Sequence, residues 1–138
     1  MERLAFGSLD FAADLGCAHR RDTLAFARWE IVFASRVATR PAPLDGVTET
    51  IDDAARIEDD ARHAADLGFG GKLAIHPRQV EPIRAGLRPD ESEVEWARAV
   101  IAAAAAGGVG RLAGTMIDAP VVARARRVIA RCASSDAS

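Results

Sequence analysis

The sequence predicts an α/β fold in which short parallel strands alternate with helices. Short apolar stretches that end in polar residues occur three times, as "RLAFGSLD", "APLDGV" and "KLAIHP". Each is followed by a segment with helical spacing of apolar residues, and Gly16 and Gly68 are placed to end two of these segments. Such alternation is typical of βαβ units, in a barrel or in a doubly wound sheet.

The first part of the chain reads as two strand–helix pairs. The first strand starts almost at residue 1, and "FAADLG" forms a short helical turn after it. Apolar residues at helical spacing then predict an amphipathic helix over about 21–36. After "APLDGV", a helix through "DDAARIEDDARHAADLG" is expected to be capped by Thr48 or Thr50.

The second part begins with the third strand, "KLAIHP". The next helix, "RQVEPIRAGL", is expected to be interrupted by Pro82, and "DESEVEWARAVIAAAAAGG" to be capped by Asp90 or Ser92 and stopped by Gly107 and Gly108. A short extended piece, "VGRLAGTMID", precedes a last helix, "APVVARARRVIARC".

Composition limits the possible partners. With 138 residues and a net charge of −2, one domain with a real core is expected, and no broad basic surface is available for nucleic acid or an anionic membrane. The start of the sequence lacks the pattern of a signal peptide, and the alanine run is too short to span a bilayer. The expected location is the cytoplasm. Cys17 and Cys132 have no metal-ligand spacing.

Three chemically active residues follow the predicted strands: Asp10, Asp45 and His76. In barrels and doubly wound sheets, ligands bind at the carboxyl ends of the strands, so these residues are candidates for a site. Acidic residues at strand ends also commonly form turns and helix caps. The spacing alone leaves both interpretations open.

Four stretches, "LAFGSLDFAADLG", "APLDGV", "LGFGGKLAIHPRQV" and "MIDAPVVARAR", in this order and at these separations, resemble the citrate lyase β-subunit-like group of the HpcH/HpaI aldolase superfamily. The resemblance implies a TIM (β/α)8 barrel and Mg²⁺-dependent carbon–carbon lyase chemistry on acyl-CoA thioesters or oxo-acids. It also implies a homo-oligomer in which a C-terminal segment reaches the active site of a neighbouring subunit.

The resemblance concerns only the C-terminal part of such a barrel, which takes about 250 residues when complete. Residues 1–106 would form about the last three βα units and residues 107–138 a C-terminal extension. The strands that carry a substrate-binding arginine and a metal-binding glutamate in the family lie upstream of this sequence, which suggests a truncated, mis-started or split protein. Two functions are therefore weighed: a lyase of the citrate lyase β, malyl- or citramalyl-thioester type, and a non-catalytic remnant or interaction module.

Two aspartates carry the implied chemistry. Asp10 matches the metal ligand of the family, and without the glutamate it should hold Mg²⁺ weakly. Asp118 matches an aspartate that acts as general acid or base over the site of a neighbouring subunit. Each could instead be a helix cap. The chain departs from the family pattern at Ala113 and Gly114, where many members have aspartate and glycine.

The strand-end motif of Ile75, His76 and Pro77 matches residues that lie beside coenzyme A in the family. His76 is expected to be a structural hydrogen-bonding residue more than a catalytic base, and Asp45 at the neighbouring strand end could line the same mouth. Arg78 could reach coenzyme A phosphates, or simply face water.

Lys72 is the only lysine among 18 basic residues. A compact ammonium is therefore expected where a planar guanidinium would not fit. Because Lys72 begins its strand, it is predicted to form an enclosed ion pair at the end of the barrel opposite the chemistry, with Asp66 or another helix-end carboxylate.

Overall fold

A computed structural model describes residues 2–106, 111–112 and 115–135. The chain divides into two compact units, Met1–Leu87 and Arg88–Ser138. Among the described residues, no helix is both long enough and apolar enough to cross a membrane. The division predicted at residues 106 and 107 separates a barrel part from an extension, and it stays a prediction.

The first unit contains a small parallel sheet. Strands β1 (Leu44–Asp45) and β2 (Gly71–Lys72) pair in parallel, with Asp45 opposite Lys72. On the other side of β1, Ala5 forms an isolated parallel bridge to Leu44. The three predicted strands are therefore neighbours in parallel, with the second in the middle.

The paired segments are shorter than the apolar stretches suggested. Beyond β2, the Leu73 amide still donates to the carbonyl of Asp45 at 2.9 Å, but the Ile75 amide donates to the side chain of Gln79 instead. Because a side chain satisfies this backbone group, "AIHP" forms a turn, and only the start of the third stretch is strand.

Four α-helices surround this sheet: α1, α2, α3 and α4, which span Ser8–Leu15, Ala25–Val37, Ala54–Leu67 and Val80–Leu87. Gly16 and Gly68 end α1 and α3 in the left-handed conformation, at φ of 66° and 101°, as predicted. Apolar side chains from α3 and α4, among them Ile57 and Ile83, form one buried cluster. A second cluster joins the first strand segment and α1 to Leu24.

Three details of the helix predictions were wrong. The helix α2 starts at Ala25, not near residue 21, because Asp22 holds a turn there by accepting a hydrogen bond from the Thr23 amide. Asp53, not a threonine, caps α3 and accepts from the Arg56 amide. Pro82 does not interrupt α4, since it lies in the first turn, where a backbone N–H has no partner within the helix.

The second unit pairs two helices, α5 (Glu91–Ala105) and α6 (Ala119–Ser135). Asp90, one of the two caps considered, caps α5 in a reciprocal capping box with Glu93. The apolar faces of the two helices form a common core that includes Ala97, Val100, Ala125 and Val128. Between the helices, β3 (Arg111–Leu112) and β4 (Thr115–Met116) pair in antiparallel. The expected stop at Gly107 and Gly108 and the departure at Ala113 and Gly114 lie outside the described residues.

Candidate functional site

A buried ionic cluster lies between β1, β2 and α2. Arg28 Nε donates to Asp45 Oδ1 at 2.8 Å, and Lys72 Nζ lies 3.3 Å from Asp45 Oδ2. The side chains of Arg28, Asp45 and Lys72 are only 7%, 2% and 1% exposed. Two cations thus share one carboxylate in the core, and both oxygens of that carboxylate are engaged.

The cluster confirms the enclosed ion pair predicted for Lys72 and corrects its partner. That partner is Asp45, not Asp66, because the parallel register places Asp45 and Lys72 side by side. The two residues therefore lie at the same level of the sheet and not at opposite ends of it. Burial lowers the pKa of the Lys72 ammonium, although the adjacent Asp45 carboxylate acts in the opposite direction.

The sequence analysis did not single out Arg28, although its position on α2 carried a signal. It lies between Leu24 and Ile31 on the apolar face of the predicted helix, where a charged residue needs a buried partner. Its Nη1 atom is buried without a hydrogen-bond acceptor among the described residues. The guanidinium is therefore held mainly by Asp45.

The loop after β1, residues 46–50, receives contacts from each neighbouring strand end. Lys72 Nζ donates to the Gly46 carbonyl at 2.7 Å. The fully buried Gln79 donates from Nε2 to the carbonyls of Thr48 and Thr50, at 2.8 and 2.7 Å. Since Gln79 Oε1 also accepts from the Ile75 amide at 2.9 Å, this side chain joins the Ile-His-Pro turn to the loop.

A third contact to the same loop comes from His19, which lies in the segment after α1. His19 Nδ1 lies 2.6 Å from Glu49 Oε1, and His19 Nε2 lies 2.9 Å from Ser8 Oγ. Ser8 is buried at 1% exposure, whereas the Glu49 side chain is 61% exposed. No spacing in the sequence pointed to this chain of side chains, because its members come from three separate segments.

An open cleft of about 340 Å³ borders the loop. It is lined by residues 19–21, residues 47–50 and the beginning of α3. At its edge, Asp60 accepts hydrogen bonds from Arg21 and Thr48. Burial alone would raise the pKa of Asp60, but the hydrogen bonds from Arg21 and Thr48 and the charges of Arg21 and Arg56 together leave this pKa below its ordinary value.

The predicted site residues of the first unit lie in different environments. Asp10 is in the first turn of α1, exposed and without a hydrogen-bond or ion-pair partner among the described residues. Asp45 had been expected to line the open end of the barrel, but it lies in the buried ionic cluster. Ile75 is 52% exposed, and the His76 ring accepts a hydrogen bond from the Arg78 amide at 3.2 Å. Pro77 begins a 3₁₀ turn, Pro77–Gln79.

In the second unit, Asp118 is exposed and accepts a hydrogen bond from the Val121 amide at 3.1 Å. It therefore caps α6, which was one of the two roles considered for it. Its implied role in proton transfer stays a prediction. Within the described ranges, no group of three or more histidine, cysteine, aspartate or glutamate residues could hold a metal ion.

A sequence model of the "HpcH/HpaI aldolase/citrate lyase" family matches residues 1–77, more than half of the chain. The chain belongs to this family. Family membership agrees with the resemblance seen in the motifs and with the partial (β/α)8 barrel of the first unit.

Two curated relatives support the same family assignment. The citrate lyase subunit beta of Escherichia coli is 36% identical over 135 residues, which is 93% of this chain and 44% of that protein. The mitochondrial citramalyl-CoA lyase of Mus musculus is 29% identical over 136 residues, which is 94% of this chain and 40% of that protein. The chain thus spans less than half the length of these relatives.

Among solved structures, this chain is similar to the protein CitE from Mycobacterium tuberculosis, which was solved in complex with magnesium, acetoacetate and coenzyme A. The TM-score is 0.81 at 31% identity, over 94% of this chain and 51% of that one. The comparison shows that the described fold corresponds to about half of a larger barrel chain.

Proposed function

We propose that the chain supplies the C-terminal part of the active site of a Mg²⁺-dependent carbon–carbon lyase, which cleaves an acyl-CoA thioester of the malyl or citramalyl type. The observation that carries the proposal is the Asp10 carboxylate. It is exposed and unpartnered within the described part of the chain, and it lies in the first turn of the helix that follows the first strand segment of a barrel fold. Barrel enzymes bind ligands at that end of their strands.

Asp10 fits a magnesium ligand but is not a site by itself. A hard carboxylate oxygen open to solvent is what Mg²⁺ prefers, and the ion usually takes one or two carboxylates together with waters and substrate. Within the described part of the chain, no group of three potential metal ligands forms around Asp10. We therefore assign it as one ligand of a site that other residues complete. When bound there, Mg²⁺ would stabilise the negative charge of the thioester enolate.

Asp118 is proposed to transfer the proton at the carbon next to the thioester carbonyl. Cleavage converts the substrate's alcohol into the carbonyl of the oxo acid with loss of the hydroxyl proton. The electron pair of the broken bond stays on the carbon next to the thioester as an enolate, which must then receive a proton. The Asp118 carboxylate is exposed, and only its Oδ1 atom serves the cap of α6. The proposed homo-oligomer would bring this residue to the site of a neighbouring subunit.

The Ile-His-Pro turn is proposed to bind coenzyme A. Ile75 offers an exposed apolar surface, and Pro77 fixes the direction of the chain as it enters the 3₁₀ turn. His76 holds that turn through its ring nitrogen. Asp45 is proposed to serve the same site from the neighbouring strand through its hold on Lys72, which in turn fixes the Gly46 carbonyl.

The proposal is tested by incubating the purified chain, together with the protein segment that completes the site, with citramalyl-CoA at saturating Mg²⁺ and measuring the 2-oxo acid released. Asp10→Asn and Asp118→Asn should abolish release. Asp14→Asn is the matched control, because Asp14 is an exposed aspartate on the same helix α1. Release that survives Asp10→Asn would contradict the assigned role.

The alternative is a non-catalytic interaction module, which the exposed apolar side chains of α2, among them Trp29 and Phe33, favour. In that case no 2-oxo acid is released at any Mg²⁺ concentration, even when the segment that completes the site is present. Association with other chains, described below, would then persist without activity.

A further inference from the structure

Ser8, His19 and Glu49 form a continuous hydrogen-bonded chain. The Glu49 carboxylate can only accept, so His19 Nδ1, 2.6 Å away, carries the proton. In the neutral ring, Nε2 then accepts from the Ser8 hydroxyl at 2.9 Å. Both ring nitrogens of His19 are thus engaged.

This series of three hydrogen-bonded side chains joins two strand ends. Ser8 is the first residue of α1, the helix whose first turn carries Asp10. Glu49 belongs to the loop that follows β1, and His19 comes from the segment after α1. Lys72 and Gln79 hold the same loop from the other side, through the carbonyls of Gly46, Thr48 and Thr50.

The order hydroxyl, imidazole, carboxylate is also that of a nucleophilic triad. Ser8 cannot fill the nucleophile's place, because it is only 1% exposed. Its hydroxyl is packed so closely against the Gly46 backbone that a Cβ atom on Gly46 would lie 2.0 Å from Ser8 Oγ. An acyl carbon cannot approach this oxygen while the loop is in place.

We propose that His19 is a positioning residue: it ties the turn that carries Asp10 to the loop after β1 and so fixes the relative position of two strand ends of the candidate site. The importance of Asp10 rests on the proposed function, but the tie does not. The test below therefore uses no metal and no substrate, and its outcome is independent of lyase activity.

The test measures amide hydrogen exchange and amide NMR shifts in the first turn of α1. The Ser8 amide donates to the Phe6 carbonyl and the Phe11 amide to the Gly7 carbonyl, both at 2.9 Å, so these amides report on opening of the turn. Glu49→Ala removes the carboxylate that His19 contacts and should speed the exchange of these amides by roughly two- to tenfold. Glu49→Gln keeps an accepting oxygen and should stay close to the wild type.

The decisive comparison is made in a His19→Phe background, where Glu49→Ala should have no further effect on the Ser8 and Phe11 amides. Glu30→Ala, at an exposed glutamate on α2, is the control and should leave both amides unchanged. If His19→Phe does not fold, Ser8→Ala removes the hydrogen bond between Ser8 and His19 instead and supports the same comparison.

Two results would overturn the proposal. One is a Glu49→Ala effect confined to residues 46–50, or one of equal size with and without His19. The other is covalent labelling of Ser8 by a fluorophosphonate probe, which would show that the hydroxyl is an accessible nucleophile and not an anchor.

Discussion

At the residue scale, the one lysine of the chain is explained by the space around it. Lys72 Nζ lies between the Asp45 carboxylate and the Gly46 carbonyl with 1% of its side chain exposed. A guanidinium is larger and planar, and Arg28 already occupies the other side of Asp45. Arginine can therefore replace lysine at the surface of this chain but not at this position.

We expect Lys72→Arg to lower the free energy of unfolding by about 1–3 kcal/mol, because the longer head overpacks the core. Arg78→Lys should change it by less than about 0.5 kcal/mol, since Arg78 pairs with Asp52 only at the surface. Urea unfolding of the two variants and the wild type measures both. Equal stabilities of Lys72→Arg and the wild type would refute the enclosed lysine.

Acid should weaken the fold partly through Asp60. Its pKa in the folded chain lies below the ordinary value of 3.8, because the effect of burial is outweighed by the hydrogen bonds from Arg21 and Thr48 together with the charges of Arg21 and Arg56. The stabilisation is therefore present above pH 3.8 and is lost as the pH falls through the folded-state pKa. Asp60→Asn should be less stable at neutral pH and show a smaller loss on acidification. An unchanged acid dependence in urea unfolding would assign the effect to other carboxylates.

At the element scale, the loop after β1 depends on a glycine that has no space for a side chain. A Cβ atom on Gly46 would lie 2.0 Å from Ser8 Oγ and 2.5 Å from Ser8 Cβ. Ser8 is buried, so neither group can move away without shifting the start of α1. The loop and α1 are thus packed together through backbone contact.

Gly46→Ala should therefore destabilise the first unit by about 1–3 kcal/mol and disturb the amide signals of α1. Gly7→Ala is the matched control: its Cβ would meet only Asp10 Oδ2, at an ordinary 3.5 Å, and should be tolerated. Thermal unfolding of the two variants decides the matter. A Gly46→Ala protein as stable as Gly7→Ala would mean that the close approach to Ser8 is not a constraint.

At the scale of the whole molecule, a large apolar surface remains uncovered. Along α2, Phe26, Trp29, Phe33 and Val37 are 54–70% exposed, and the rings of Trp29 and Phe33 stack at 5.2 Å. The segment around Ala5 pairs with β1 on one side only among the described residues. Apolar stripes and single-sided strand edges both favour association with other chains.

We expect the chain to form dimers or larger assemblies at micromolar concentration, measured by light scattering. Phe33→Glu should shift the population toward monomer, because it places a charge in the exposed stripe without touching the core. Glu30→Gln on the same helix should have no such effect. A monomer of 14.6 kDa with cooperative unfolding would show that these surfaces need no partner.

The fold was more predictable from the sequence than the site. The alternation of short strands and helices, the glycine stops of α1 and α3 and a cap at Asp90 or Ser92 follow from local patterns, and the structure confirms the first two and selects Asp90. The pairing of Lys72 with Asp45 required the register of two strands, and the contact of His19 with Glu49 required the positions of two loops. Neither is encoded in a spacing along one segment.

The most direct test of the account is the affinity of the chain for Mg²⁺, because the central claim is that it carries one carboxylate of a shared metal site. Calorimetric titration should show only weak binding, which Asp10→Asn removes and Asp14→Asn leaves intact. Micromolar affinity in the isolated chain would contradict the account, since it would require a group of metal ligands that the described residues do not assemble.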